Sequence, residues 1–239
     1  MSRLTRSLIL GLAALAPVAV ASAEPFTQLF PLGSCNFATT GGNAYFKLNV
    51  GRQLYLSNVR CVQEGECDEL EEVWITVLPE TKVVDFTYHG RPMSVTTRVV
   101  QEREFADGEL EEVSRNFVAD CNPMNDVYYF GERVTDGEGN LQDDGWLAGR
   151  DGALPGLLMP DRAFLLGSRY FQEIAPNAKD RGEHTALGLT IEVPAGVFHN
   201  CVEVTETTPL EPGEESIKVY CPAVGMVIDD DLELTAVFD

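Results

Sequence analysis

The chain has 239 residues, of which 38 are Asp or Glu and 17 are Lys or Arg, so its formal net charge is −21 at pH 7. A surface this acidic repels the phosphates of nucleic acid, and we therefore expect no nucleic-acid partner. Two interpretations of the charge stay open: a solubilising surface, or a site for calcium or another hard cation built from carboxylates.

The first 23 residues are typical of a secretory signal peptide. Two arginines precede an apolar stretch at residues 8–21, and Ala21-Ser22-Ala23 forms an A-x-A cleavage site. The apolar stretch is shorter than the roughly 20 residues that a membrane span needs, and Pro17 interrupts it. The sequence predicts a protein that begins at Glu24 after cleavage, is periplasmic or secreted, and does not span the membrane.

Six cysteines follow the predicted cleavage site, and an even number in an exported chain indicates disulfide bonds. One pair is equidistant from residue 211, in a turn with two prolines and a glycine, and such residues face each other across hairpin strands. A second pair flanks a polar loop and is expected to close a hairpin end, and the last pair follows by elimination. The predicted pairs are, in that order, Cys201–Cys221, Cys61–Cys67 and Cys35–Cys121.

Short apolar, β-branched and aromatic runs recur along the chain, separated by Gly, Pro, Asn and Asp. We predict an all-β fold, an antiparallel curved sheet or barrel, because curling or closing a sheet removes long exposed edges. After an N-terminal arm at 24–42, residues 43–239 are expected to form a single β domain. Strands are predicted near residues 44–50, 53–59, 71–78, 81–88, 93–105, 110–119, 126–134, 169–174, 184–193, 197–207, 217–221 and 232–238.

Residues from about 141 to 180 differ from the rest, because they are rich in Gly, Pro, Asp and Met. A long irregular insertion inside a compact β domain is more often functional than a short loop. We expect this insertion to form a wall over a cavity or to fill the core of the sheet. The expected ligand-binding residues are the apolar Trp146, Met159, Tyr170 and Phe171, with Gln172 and Glu173 as polar groups.

The sequence contains no G-x-S-x-G elbow, H-E-x-x-H motif, Walker loop or dinucleotide fingerprint. No catalytic residue is assigned on these grounds, and enzymatic activity is not expected. A carboxylate-based hydrolase nevertheless stays open as an alternative, because pairs of carboxyl groups perform acid–base hydrolysis and this chain is rich in them.

Three candidate metal ligands are His184, His199 and Glu203. They would form a two-histidine, one-carboxylate site if adjacent hairpin strands brought them together. Residues 136–144 superficially resemble a calcium loop, but Leu141 stands where the loop requires a glycine, and a plain turn is expected. No cofactor is assigned, and calcium stays an open alternative.

A set of motifs runs through the chain: YYFGE from Tyr128, WLAG to MP between Trp146 and Pro160, YFQEIAP from Tyr170, VPAGVF from Val193, ETTPLEPG from Glu206 and VGMV from Val224. Together they resemble a family of secreted bacterial β-rich proteins of unknown function, over residues 43–235. The resemblance implies a β-rich fold and an extracytoplasmic location, and no mechanism. The chain departs from the family at Cys221, where the family has a small residue, so the resemblance does not imply the Cys201–Cys221 bridge.

The leading hypothesis is an exported, disulfide-stabilised binding protein without enzymatic activity. Its partner is expected to be a small apolar ligand or the surface of another protein. The alternatives are the carboxylate-based hydrolase and a protein that binds calcium or a transition metal.

Overall fold

The computed structural model describes residues 26–143, 145–161 and 165–239. The predicted signal peptide, residues 1–23, lies outside the described residues. Fourteen strands form an antiparallel sheet that is nearly closed into a barrel, which confirms the predicted all-β fold class.

The regular elements of the described residues are two short helices and fourteen strands. The helices are a 3₁₀ turn (Leu32–Ser34) and α1 (Val59–Glu64). The strands are β1 (Asn36–Ala38), β2 (Gln53–Ser57), β3 (Glu71–Tyr88), β4 (Arg91–Ala106), β5 (Glu109–Asn122), β6 (Asp126–Asp136), β7 (Leu154–Met159), β8 (Arg169–Phe171), β9 (Glu173–Ile174), β10 (Arg181–Val193), β11 (Gly196–Thr207), β12 (Glu215–Cys221), β13 (Gly225–Asp229) and β14 (Leu232–Phe238).

One predicted strand is absent. Residues 44–50 make only an isolated bridge, between Gly42 and Lys47. The reason is a side chain that competes with the sheet for backbone hydrogen bonds. The Asn43 Oδ1 atom accepts the backbone N–H groups of Tyr45 and Phe46, each at 2.9 Å, and so turns the chain.

The sheet closes through one short stretch, residues 169–174. Its first part, β8, pairs with β10, and its second part, β9, pairs with β7. Only Gln172 separates β8 from β9, so one stretch of backbone is hydrogen-bonded to both ends of the sheet. Gly156 permits this approach, because a Cβ atom there would collide with the carbonyl of Gln172. The insertion predicted as irregular therefore carries three short strands.

The three disulfides are the predicted ones: Cys35–Cys121, Cys61–Cys67 and Cys201–Cys221. The first ties the chain before β1 to the end of β5. The second closes α1 rather than the predicted hairpin end, because residues 59–64 are helical. The third joins facing positions of β11 and β12, beside the pair Val202 and Tyr220. Three disulfides are consistent with an exported, disulfide-stabilised protein.

The two faces of the sheet have different surroundings. On β6, Tyr128 and Phe130 point to the same face, because side chains alternate along a strand. There they contact Phe37 of the N-terminal arm in edge-on geometry, with ring centroids 6.1 and 5.3 Å apart. Phe30 of the same arm packs against Tyr128 as well. Tyr129 points the other way, into a cavity. The arm therefore covers the outer face of the sheet, and the cavity lies inside the barrel.

A bulge in β6 decides which side chains reach that cavity. The pairing of β5 with β6 shifts register beside Asn116, so that β6 contains one extra residue. Gly131 lies in this bulge with φ +131°, and a Cβ atom there would collide with the backbone of Trp146. Bulges re-aim the side chains that follow them. As a result Tyr129 and Glu132, three residues apart, both face the cavity.

Candidate functional site

A cavity of about 430 Å³ lies inside the barrel, between β4, β5 and β6 on one side and β11 to β13 on the other. We name it the acidic chamber, because eight carboxyls and one amine occur among the described residues that line it. The carboxyls belong to Glu102, Glu104, Glu112, Glu132, Glu173, Asp180, Glu206 and Glu211, and the amine belongs to Lys218.

The acidic side chains reach the chamber because they share a strand face with apolar ones. On β4, Val100, Glu102 and Glu104 are two residues apart and point the same way. The neighbouring strand β5 contributes Ser114 and Asn116 by the same rule. The inward face of β4 therefore changes from apolar to acidic along the strand.

A chain of hydrogen bonds crosses the chamber wall. The Asn116 amide donates to Oε1 of Glu102 at 3.1 Å, which fixes the orientation of the amide. The Tyr129 hydroxyl lies 2.6 Å from Oδ1 of Asn116 and 2.8 Å from Oε2 of Glu132. A phenol carries one proton, so the Tyr129 hydroxyl donates to one of these two acceptors at a time. It thereby connects the Asn116 amide with the Glu132 carboxyl across the chamber wall.

Burial raises the pKa of two carboxyls of the chamber. Burial, together with the charges of Glu132 and Asp180, raises the pKa of Glu173 from the ordinary 4.5 to about 8. The indole of Trp146 donates to Oε1 of Glu173 at 3.0 Å. Burial also raises the pKa of Glu102 to about 7. Near neutral pH the chamber thus holds protons that a cation could displace.

Lys218 is the ammonium of the chamber. Its Nζ atom lies 3.2 Å from Oε2 of Glu206 and 3.8 Å from Oδ1 of Asp229. Burial lowers the pKa of this ammonium, but the neighbouring acidic groups, Glu206 and Asp229 foremost, together raise it by more, and the pKa lies well above its ordinary value. Lys218 is therefore protonated, which excludes the neutral amine that a lysine nucleophile requires.

Gln172 lines the chamber and carries a buried acceptor. Its amide Nε2 donates to Oε1 of Glu206 at 2.5 Å. Its Oε1 atom is buried and has no hydrogen-bond partner among the described residues, and the residue is only 4% exposed. A buried carbonyl without a partner costs free energy, so this position favours a ligand that donates a hydrogen bond.

In the described part of the chain, three further spaces share lining residues with the chamber, and two of them bear on its cation chemistry. We name the first the apolar recess, with a volume of about 40 Å³, and it shares Glu102, Phe46 and Met226 with the chamber. Its lining includes five aliphatic side chains together with Lys47 and Arg52. We name the second the vestibule, an outer space of about 630 Å³ that shares Lys218 and Glu206 with the chamber. The vestibule adds the carboxyls of Glu214 and Glu215. The route from solvent to the chamber is therefore acidic along its length.

The structure separates the six predicted ligand-binding residues. Gln172 and Glu173 line the chamber, whereas Trp146 lines a separate cavity of about 630 Å³ and donates a hydrogen bond to Glu173. The other three lie elsewhere: Met159 is buried in the core, Tyr170 bonds to His184, and Phe171 packs on Phe26. The insertion thus forms one wall of the cavity. The strands supply most of the polar lining, and the sequence did not identify these residues: Glu102, Asn116, Tyr129, Glu132, Glu206 and Lys218.

The three candidate metal ligands are not brought together. His184 is fully buried opposite Val204, where burial lowers its pKa to about 4 and Tyr170 lies 3.0 Å from its Nε2. His199 lies at an exposed position and contacts Thr190 instead. Within the described parts of the chain, no three His, Cys, Asp or Glu side chains are grouped to hold a metal ion. Residues 136–140 form the expected turn, in which Asp136 accepts backbone N–H groups.

Comparison with protein-family models, with curated proteins and with solved structures found no match to this chain. Among the residues that the structure describes, no helix combines the length and the apolar character needed to cross a membrane. The chemistry of the acidic chamber is therefore the basis on which a function can be argued.

Proposed function

We propose that this protein binds a small organic cation in the acidic chamber and has no enzymatic activity. The observation that carries the proposal is the lining: eight carboxyls face one ammonium, and the buried Gln172 carbonyl oxygen has no described partner. The carboxyls and the Gln172 carbonyl accept hydrogen bonds, and the Lys218 ammonium is the one cationic group of the described lining. The complementary ligand carries positive charge and donates hydrogen bonds.

The apolar ligand predicted from the sequence is replaced in this proposal by a cation with an apolar end. A wholly apolar ligand would strip water from the carboxylates and return no hydrogen bonds, which opposes its binding. The apolar recess beside Glu102 can hold a small aliphatic group. At an effective dielectric constant of 20, two unit charges 4 Å apart attract by about 4 kcal/mol, so the charged head dominates the affinity.

Export belongs to the same proposal. The three disulfides support an oxidising compartment, and the first 23 residues resemble a signal peptide. Mass spectrometry of the protein from the periplasm or the medium should find Glu24 at its N-terminus. Recovery of Met1 in that fraction would contradict the assignment. Membership of the secreted β-rich family stays part of the proposal on the motifs alone.

A second candidate, a carboxylate-based hydrolase, rests on one specific observation. Glu173 holds its proton to about pH 8 beside the charge of Glu132, and an acid and a base with separated pKa values are what hydrolysis by carboxyls requires. Turnover of activated glycosides or esters by the wild-type protein, abolished by Glu173→Gln, would establish it.

The binding experiment compares three ligands of equal length and different charge: n-butylammonium, n-butanol and n-butyrate. Isothermal titration of the disulfide-intact protein should detect the cation, while the alcohol binds more weakly and the anion does not bind. The double variant Glu102→Gln/Glu132→Gln should lower the affinity for butylammonium about tenfold or more. The control is Glu109→Gln/Glu111→Gln, which makes the same two substitutions at exposed positions outside the chamber.

Two results would overturn the proposal. Equal affinity for the three butyl compounds would show that charge does not select the ligand. An equal loss of affinity in the chamber variant and in the control variant would show that binding depends on the overall charge of the protein and not on the chamber.

A further inference from the structure

Lys218 lies where the acidic chamber meets the vestibule, and it lines both. Its ammonium pairs with Glu206 and Asp229, and its side chain is 25% exposed. A cation-binding site thus contains a cation of its own, attached to the wall by a flexible four-carbon chain.

We propose that Lys218 is a tethered competitor that occupies the cation position at Glu206 until the ligand displaces it. The inference rests on the proposed function and adds how the site is regulated and which cations it accepts. In the unliganded protein the ammonium neutralises Glu206, and the ligand's positive group takes its place there.

The surroundings of Lys218 allow this exchange. When the ammonium leaves Glu206, the carboxylates of Glu211 and Glu214 in the vestibule can receive it, so the charge stays compensated. Glu206 itself remains in position, because its other oxygen accepts the Gln172 amide. The Gln172 carbonyl oxygen lies on the same side chain and can accept an N–H group from the arriving ligand.

The exchange also defines the class of ligand. A cation without an anionic group is attracted by the carboxylates and repelled by the Lys218 ammonium. A zwitterion, in contrast, would gain an ion pair with Lys218 and would not displace it. Once the ligand has displaced Lys218, that ammonium no longer faces an anionic group of the ligand. The proposed exchange therefore predicts ligands that are organic ammonium ions without a carboxylate or phosphate.

Lys218→Met tests the competitor directly. Removing the tethered charge should tighten n-butylammonium binding roughly tenfold to hundredfold, since a nearby like charge is lost. Lys82→Met is the matched control, because Lys82 is exposed on β3 and its loss changes the net charge equally. The Lys82→Met protein should bind n-butylammonium with the affinity of the wild type. Lys218→Gln is a second variant, whose amide can still donate to Glu206 if the methionine variant fails to fold.

A measurement on the wild-type protein completes the test. In a crystal structure with n-butylammonium bound, the Lys218 Nζ atom should have left Glu206 Oε2 and point into the vestibule. An unchanged ion pair of 3.2 Å beside the bound ligand would overturn the inference.

The outcomes separate the two proposals. If butylammonium binds the wild type but the Lys218 variants bind it no more tightly, the proposal that Lys218 is a competitor is wrong, and the proposed cation site stands. If 4-aminobutyrate binds the wild type more tightly than butylammonium and loses this advantage in Lys218→Met, Lys218 is a ligand-binding residue instead. If neither the wild type nor the variants bind butylammonium, the proposed function itself fails.

Discussion

Glu173→Gln tests whether the acidic chamber stores a proton in the folded protein. Glu173 is 8% exposed, and its Oε1 atom accepts a hydrogen bond from the Trp146 indole N–H at 3.0 Å. Glutamine has nearly the same size and keeps the acceptor oxygen, but it cannot ionise. The substitution therefore preserves the packing and removes the titration.

The expected magnitude follows from the pKa of Glu173, which is raised from 4.5 to about 8 on folding. Between these values the folded protein binds a proton that the unfolded chain has released, so the free energy of unfolding falls as pH rises. The stabilising contribution is complete below pH 4.5 and is lost as pH rises through about 8. At about 1.4 kcal/mol per pH unit the loss amounts to about 5 kcal/mol, an upper value because water entering the chamber screens the charge.

The assay is urea unfolding of the wild type and of Glu173→Gln at pH 5, 7 and 9. The variant should match the wild type at pH 5 and exceed it by up to about 5 kcal/mol at pH 9. Glu109→Gln, at the exposed start of β5, serves as the control and should follow the wild type throughout. If the curves for wild type and Glu173→Gln run parallel from pH 5 to 9, Glu173 does not hold a proton in the folded state.

Three further outcomes are expected. Replacing Cys201 and Cys221 by serine opens a loop of 20 residues and should lower the free energy of unfolding in urea by about 3 kcal/mol, whereas an unchanged midpoint would argue against the bridge. Trp146→Ala should cost about 3–5 kcal/mol, because the indole is buried against Tyr129; a loss of ligand binding with full stability would instead mark it as a ligand wall. The melting temperature should rise with sodium chloride, as the Debye length shrinks from about 30 Å at 0.01 M to about 3 Å at 1 M, and a larger rise with millimolar calcium at matched ionic strength would favour a calcium site.

The parts of the fold that depend on local pattern could be predicted from the sequence. Cys201 and Cys221 are symmetric about a turn, and the register of β11 with β12 does place them opposite each other. The alternation along β11 likewise agrees with the buried Val202 and Val204. Such features can be predicted from two things alone: the alternation of side chains between the two faces of a strand, and the position of a turn.

The acidic chamber could not be predicted in this way. Glu102 and Glu206 meet across the barrel, on strands that are far apart in the order of the sheet. Alternating polar residues are normally assigned to the solvent face, and a polar interior reverses that rule. The bulge at Gly131 then changes which residues of β6 face inward, so that counting by two from Tyr129 misses Glu132. The sequence signal that could have indicated the chamber is the alternation on β4, which places Glu102 and Glu104 on the same face as Val100.

Closure of the sheet through residues 169–174 has a consequence for motion. β8 and β9 have three and two residues, so the seam is held by few backbone hydrogen bonds, whereas the hairpin β3–β4 is paired almost throughout. Segments with few bonds open locally at lower free energy than the rest of a domain. Amide hydrogens of the seam should therefore exchange with deuterium sooner than those of the hairpin. Because Gln172 and Glu173 belong to both the seam and the chamber wall, a bound cation should slow that exchange.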